Sequence, residues 1–241
     1  MELYRTHIRD IICGRSTSAI PLAERSELIF LHIPKTGGET IERALDLHKN
    51  HLPAVDRARE YARPHVSFSV IRNPFDRMLS WFRFCLHGWR GQLPDPKKQC
   101  MLAHRLINAF PGKHNVSTVG RAFEAWLETT LGSPEWLHYW IFFPYAIFLG
   151  GPNLKVDFLL RFEHLSSDLL VLAAALQRNV TMLPHENSSS DWKRGMIEGM
   201  EVDQEIMTIL RYHYSLIYTS TAKKLVEVWY QNDLTNFGYS F

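Results

Sequence analysis

The chain has 241 residues, of which 46% are hydrophobic and 22% are charged, with a formal net charge of +2 at pH 7. This composition is typical of a globular domain with a substantial core, and it excludes a disordered or collagen-like chain. The weak positive charge argues against nucleic acid as the main partner. The three cysteines form no CxxC pair, so no cysteine metal site or disulfide framework is indicated. No apolar run reaches the roughly 18 residues of a membrane span, so we expect no membrane-spanning helix.

The first strong pattern is an apolar strand predicted at 28–33, followed by Pro34-Lys35-Thr36-Gly37-Gly38 and a helix predicted at 39–48. A strand, a glycine turn and a helix start together direct backbone N–H groups and a lysine towards one point, where an oxyanion such as phosphate can bind. The order differs from a Walker A loop, in which the lysine follows the glycines. The alternative is a turn that needs glycine only for its backbone conformation.

A second apolar strand, predicted at 66–72, ends in Arg72, and a helix is predicted at 74–86. Arg72 at the strand end and Ser80 about two turns into the helix are placed to bind one anion. The carboxyl edge of a parallel sheet is where ligands of open α/β folds bind, and the arginine fork suits a phosphate monoester. The alternative is an ion pair between Arg72 and Asp76 at the start of the helix.

The remaining predicted elements are a third strand at 156–161 and helices at 119–130, 165–177, 198–213 and 219–230. Apolar strands that alternate with helices predict an α/β fold with a parallel sheet covered on both faces. We therefore expect one domain over residues 1–241, with an irregular lead-in at 1–27. The segment 88–120 is rich in proline and glycine, and it predicts a surface excursion around a short helix at 99–109.

Two apolar sets of side chains stand out, one on a helix and one in an aromatic segment. The helix at 119–130 is amphipathic, and its apolar face is formed by Phe123, Trp126 and Leu127. In the aromatic segment that follows, Phe142, Phe143, Tyr145 and Phe148 are expected in the core, and the alternative is that they line a site for a sugar or a small phenol.

These segments together resemble the PAPS-dependent sulfotransferases, which use 3′-phosphoadenosine 5′-phosphosulfate as donor. Pro34–Gly38 is similar to that family's loop for the 5′-phosphosulfate, and Arg72 and Ser80 are similar to its pair for the 3′-phosphate. Three later segments resemble family motifs in the same order: Val156–Leu165, Leu183–Asn187 and Asn232–Tyr239. The resemblance is strongest to the carbohydrate O-sulfotransferases, the branch that holds the heparan sulfate 2-O and chondroitin 4-O enzymes.

The resemblance implies a P-loop-like three-layer sandwich that transfers a sulfuryl group from PAPS to an acceptor hydroxyl, in this branch a glycan hydroxyl. The donor site that it implies consists of Lys35, Thr36, Gly37, Gly38, Glu39, Thr40, Arg72 and Ser80. Lys35 would stabilise the departing phosphate, and no metal is expected because less charge must be neutralised than with ATP. Glu39 departs from the family, which carries Thr or Ser there, and we expect its carboxylate to point away from the phosphate.

The acceptor hydroxyl needs a general base, and histidine is suited to this role near neutral pH. The resemblance places the base between the first loop and the second strand, where His51 fits best. His65 is the second choice, although we expect it at the end of its strand that lies away from the ligand edge. His32 is expected to be a core residue. His138 resembles a family histidine, but the glutamine that accompanies it in the family is missing.

Two other functions stay open: a P-loop-type kinase, and a nucleotide-binding module without sulfotransferase activity. The N-terminus carries no apolar segment typical of a signal peptide, whereas animal members of the family are Golgi enzymes with an N-terminal anchor. We therefore expect either a cytoplasmic enzyme or a Golgi-lumen catalytic domain separated from its anchor. The sequence indicates neither the oligomeric state nor the identity of the acceptor.

Overall fold

The computed structural model describes residues 27–48, 51, 65–87, 94–110, 112–132, 140–149, 156–178, 180 and 203–241. The strands are β1 (Glu27–Leu31), β2 (His65–Ile71) and β3 (Phe158–Arg161). The α-helices are α1 (Gly38–Ala44), α2 (Pro74–His87), α3 (Pro94–Asn108), α4 (Val116–Gly132), α5 (Tyr145–Leu149), α6 (Leu165–Ala175), α7 (Gln204–Ile209), α8 (Ser220–Trp229) and α9 (Gln231–Phe237). Within these residues, short 3₁₀ helices cover Trp140–Phe142, Phe162–His164 and Tyr214–Leu216. His138, Leu183–Asn187 and most of the lead-in at 1–27 lie outside the described residues.

The described residues fall into two compact units. The first is drawn from residues 1–72 and 144–186, and the second from residues 73–143 and 187–241. Each unit has a hydrophobic core of its own. The prediction of a single domain over 1–241 stays a prediction.

In the described part of the first unit, the strands form a three-stranded parallel sheet in the order β1-β2-β3. Phe68 in the central strand pairs with Phe30 on one side and with Phe158 on the other. The sheet packs with α1 and α6 through buried side chains that include Ile41 and Leu169. The predicted parallel α/β arrangement is therefore confirmed. Because all three strands run in the same direction, the segments that follow them emerge at the same edge of the sheet.

Helix α1 ends earlier than the predicted limit of residue 48. Asp46 has a φ of +52°, and the N–H of Leu47 donates to the carbonyl of Glu42 at 2.7 Å. This is the hydrogen-bond pattern of a Schellman motif, which usually uses glycine at the left-handed position. Asp46 takes that position here, so the sequence carries no glycine signal for the end of the helix.

The second unit is helical in its described part, and its core is formed mainly by α2, α3, α4 and α8. Phe123, Trp126 and Leu127 are fully buried, which confirms the apolar face predicted for α4. Phe142 is also buried here, and Tyr145 and Phe148 are buried in the first unit, whereas Phe143 is only partly buried.

The segment predicted as a surface excursion at 88–120 contains a longer helix than the sequence indicates. Helix α3 covers 15 residues from Pro94, where a short helix at 99–109 is expected. Cys100, Ala103 and Ile107 are buried at helical spacing, so α3 contributes to the core. Proline is tolerated in a first helical turn because the N–H groups there have no intrahelical partner. Pro94 and Pro96 therefore start this helix instead of marking a loop.

The C-terminal segment also differs from its prediction. Helix α7 begins at Gln204 because the side chain of Asp203 accepts a hydrogen bond from the N–H of Glu205 and caps the helix. Helix α8 agrees with the prediction at 219–230, and α9 follows it where no helix is expected. Within the described ranges, no helix is both long enough and apolar enough to cross a membrane.

Candidate functional site

The loop between β1 and α1 turns sharply at two left-handed residues. Lys35 has a φ of +67° and Gly37 a φ of +86°. Thr36, between them, is fully buried, and its hydroxyl donates to the carbonyl of Ile33 at 2.7 Å. The hydroxyl of Thr36 therefore stabilises the turn, and a ligand would meet this residue through its backbone.

The first turn of α1 uses one of the predicted anion-binding amides. The N–H of Thr40 donates to the carbonyl of Gly37 at 3.1 Å, and the N–H of Ile41 approaches the same oxygen at 3.4 Å. The N–H of Thr40 is thus used within the helix, and a phosphate contact through its hydroxyl stays a prediction. Glu39 lies in this first turn and is partly buried, and the direction expected for its carboxylate stays a prediction.

Both glycines of the loop are required by close packing. A Cβ atom at Gly37 would lie 2.9 Å from Cδ2 of Phe162, and its φ is one that glycine favours. A Cβ atom at Gly38 would lie 2.1 Å from Nε2 of His32. Gly37 is therefore needed both for its backbone conformation and for the space it leaves. Gly38 is needed for space, so the alternative of a purely conformational role does not apply to it.

Arg72 follows β2 directly and lies against this loop. Its Nη1 donates to the carbonyl oxygen of Lys35 at 3.1 Å, and its guanidinium carbon lies 4.0 Å from the centre of the Phe162 ring. Arg72 and the backbone of Lys35, two of the residues predicted to bind the anion, thus lie in contact at the carboxyl edge of the sheet. The segments after all three strands contribute: the Lys35 loop after β1, Arg72 after β2 and Phe162 after β3.

The backbone of Arg72 is held by Tyr145 of α5. The phenol of Tyr145 donates to the carbonyl of Arg72, and the N–H of Arg72 points back to the phenol oxygen at 3.4 Å. Ser80 lies in α2, which belongs to the second unit, and it is partly exposed. Its role at the 3′-phosphate stays a prediction.

Three histidines of the first unit can be compared with their predictions. His65 begins β2 opposite Glu27, at the end of the strand away from the loop, as expected. His32 is only 3% exposed, which confirms it as a core residue. His51 lies beside it: the ring centroids are 4.1 Å apart, and Nδ1 of His51 is 3.3 Å from the carbonyl oxygen of His32. The predicted base is therefore adjacent to the residue that leads into the loop.

Sequence reasoning missed three residues that support the site. Phe162 follows β3, so the rule that parallel strands end at one edge would have found it. For Tyr145 the sequence predicts a place in the core or beside an acceptor, and it gives no sign of the contact with Arg72, although a buried phenol usually has a hydrogen-bond partner. Glu42 is buried on α1 with its carboxylate Oε1 2.6 Å from Nδ1 of His32, and no sequence signal pairs these two residues.

The site combines a glycine turn with a lysine and an arginine at the carboxyl edge of a parallel sheet, an arrangement whose chemistry suits an oxyanion. Among the described residues, no group of three or more His, Cys, Asp or Glu side chains is arranged to hold a metal ion. The sequence matches the sulfotransferase family over residues 19–240, and the chain belongs to that family. It is thus a transferase of sulfuryl groups, and members of the family generally take the group from PAPS. No match was found among curated proteins.

Proposed function

We propose that the chain transfers a sulfuryl group from PAPS to a hydroxyl of a carbohydrate acceptor. The observation that carries this proposal is the hydrogen bond from Arg72 to the carbonyl of Lys35, since it joins two cationic residues at one edge of the sheet. Family membership supports sulfuryl transfer in general. The resemblance of Pro34–Gly38 and Arg72 to the carbohydrate O-sulfotransferases supports the donor and the class of acceptor. In the same proposal, the parallel sheet belongs to a P-loop-like three-layer sandwich.

The residues of the first unit fit the anionic ends of PAPS. The backbone amides of Thr36, Gly37 and Gly38, together with the ammonium group of Lys35, would hold the 5′-phosphosulfate. The guanidinium of Arg72 would bind the 3′-phosphate, with Ser80 as the second residue of that pair. These groups are hydrogen-bond donors, and two of them are cationic, as an oxyanion requires. Glu39 is the exception, and in this proposal its carboxylate points away from the phosphate.

Catalysis in this proposal depends on positioning and on charge stabilisation, as in phosphoryl transfer. PAPS supplies the sulfuryl group. The bond between its sulfur and the bridging phosphate oxygen breaks as the acceptor oxygen bonds to the sulfur. Lys35 stabilises the negative charge that develops on the bridging oxygen. His51 accepts the proton of the acceptor hydroxyl. When Nδ1–H of His51 donates to the carbonyl of His32, the lone pair that takes the proton is on Nε2.

Glu39 favours a second candidate, a nucleotide-binding module without sulfotransferase activity, because a carboxylate close to the donor phosphate would repel it. Thermal unfolding with 3′,5′-diphosphoadenosine (PAP) and with Mg-ATP, followed by incubation with radiolabelled PAPS and a panel of glycans, separates the candidates. We expect stabilisation by PAP without Mg²⁺ and label on a glycan.

Two outcomes would contradict this expectation, and a third would contradict the role of His51. Stabilisation by PAP without label on any acceptor would favour the binding module. Stabilisation by Mg-ATP alone would favour a kinase-type protein. A His51→Ala variant that binds PAP and still transfers at the wild-type rate would remove His51 as the base.

A further inference from the structure

A buried pair of side chains brackets the glycine loop. Nδ1 of His32 lies 2.6 Å from Oε1 of Glu42, and the side chains are only 4% and 7% exposed. His32 precedes the loop and Glu42 lies on α1, ten residues later. A short hydrogen bond between two groups removed from water is strong and directional. The pair therefore ties the entrance of the loop to the helix that follows it.

The opposite edge of the His32 ring faces the loop. A Cβ atom built on Gly38 would lie 2.1 Å from Nε2 and 2.2 Å from Cδ2 of His32, so the imidazole fills the space where any other residue would place its side chain. The ring of Phe30 also stacks on His32, with centroids 5.3 Å apart. Glu42 and this packing together fix the orientation of the imidazole.

His32 also contacts the proposed general base. Its carbonyl oxygen is 3.3 Å from Nδ1 of His51, and the two rings lie 4.1 Å apart. One residue thus contacts the first residue of α1 through its side chain and His51 through its backbone and ring.

We propose that His32, oriented by Glu42, is a positioning residue that sets the backbone of the donor loop at Gly38 and the ring of His51 at the same time. This inference rests on the proposed function, in which the loop binds the donor and His51 acts as base. His32 touches neither reactant in this arrangement and acts through these two neighbours. It also explains why position 38 requires glycine, since its helical conformation alone would accept other residues.

A double-mutant cycle tests the contact between His32 and Gly38. The variants are Gly38→Ala, His32→Ala and the double variant, and the affinity for PAP is measured by calorimetry, which needs no turnover. We expect each single variant to weaken binding about tenfold or more, and the double variant to bind no more weakly than His32→Ala, because the added methyl group then has room. Additive losses in the double variant would overturn the proposal. His48→Ala, at an exposed histidine of the same unit, is the matched control and is expected to bind as the wild type does.

Variants of Glu42 test the orientation of the ring. Glu42→Gln keeps an oxygen that can accept from Nδ1, and we expect PAP affinity within about threefold of wild type, whereas Glu42→Met removes the acceptor and is expected to weaken binding about tenfold. A positioning role also predicts a higher KM for PAPS and a lower kcat with an unchanged acceptor KM. Equal affinities of the Gln and Met variants would overturn the role of Glu42. If His32→Ala does not fold, this comparison replaces the double-mutant cycle as the test of the proposal.

Different results would contradict the proposed function and the positioning role of His32. A wild-type protein that does not bind PAP overturns the proposed function and this inference with it. A wild-type protein that binds PAP, together with a folded His32→Ala variant of equal affinity and equal turnover, overturns this inference alone.

Discussion

Replacing Arg72 tests whether the two cationic residues at the carboxyl edge of the sheet act together. Arg72→Ala removes the hydrogen bond to the carbonyl of Lys35 and the contact with the Phe162 ring. Arg72→Lys keeps the positive charge but loses the planar fork that makes both contacts. The two variants thus separate charge from geometry.

The structure sets the size of the expected effect. A hydrogen bond from a charged donor contributes about 1.5–3 kcal/mol, and a cation–π contact about 0.5–2 kcal/mol. Lys35 lies in the left-handed region, which costs a non-glycine residue about 1–2 kcal/mol, so the loop depends on such contacts to keep its conformation. A loss of about 2–5 kcal/mol in Arg72→Ala corresponds to PAP binding weaker by about 30- to 4,000-fold. For Arg72→Lys we expect a loss of about tenfold.

Isothermal titration calorimetry with PAP at fixed ionic strength measures these losses. Arg178→Ala is the matched control, because Arg178 is an exposed arginine of the same unit. PAP affinity of Arg72→Ala within threefold of wild type would refute the reasoning. An equal loss in Arg178→Ala would show that only the overall charge matters.

Two further predictions concern buried polar groups of the second unit. Arg77→Met leaves the carbonyls of Ile141 and Phe143 without the guanidinium donor that now lies 2.8 and 3.1 Å from them, so we expect urea unfolding to show a loss of about 2–4 kcal/mol. Burial lowers the pKa of His104 below its usual 6.5. As the pH drops below 6.5, the unfolded chain therefore binds a proton more readily than the folded chain does, and the stability of the fold decreases. His104→Gln should flatten this dependence in urea unfolding between pH 7 and pH 5.

Each of these two predictions has its own contradicting result. A loss below about 1 kcal/mol in Arg77→Met would show that the carbonyls find other donors. Equal pH slopes for wild type and His104→Gln would show that His104 does not carry the pH dependence.

The local parts of the site could be predicted from the sequence, and the tertiary parts could not. The glycine turn, the parallel strands and the position of Arg72 at a strand end follow from patterns within a few residues of each other. The contact between Arg72 and Phe162 joins residues far apart in the chain, and Arg72 also reaches back to Lys35. Their meeting depends on strand order, which the pattern of apolar residues does not specify. The prediction for the proline-rich start of α3 is wrong for a local reason, because proline breaks a helix in its interior but is tolerated in its first turn.

The position of Arg72 depends on the register of β2, because a slip by one residue would turn its side chains to the opposite face. Two buried serines of this strand fix that register. The hydroxyl of Ser69 donates to the carbonyl of Leu31 at 2.7 Å on one side. On the other side, the N–H and hydroxyl of Ser67 donate to Oδ2 of Asp157 at 2.8 and 3.0 Å. Buried polar groups are unstable without partners, so a slipped strand would leave these serines unsatisfied. The two serines therefore keep Arg72 in the position from which it contacts the loop between β1 and α1.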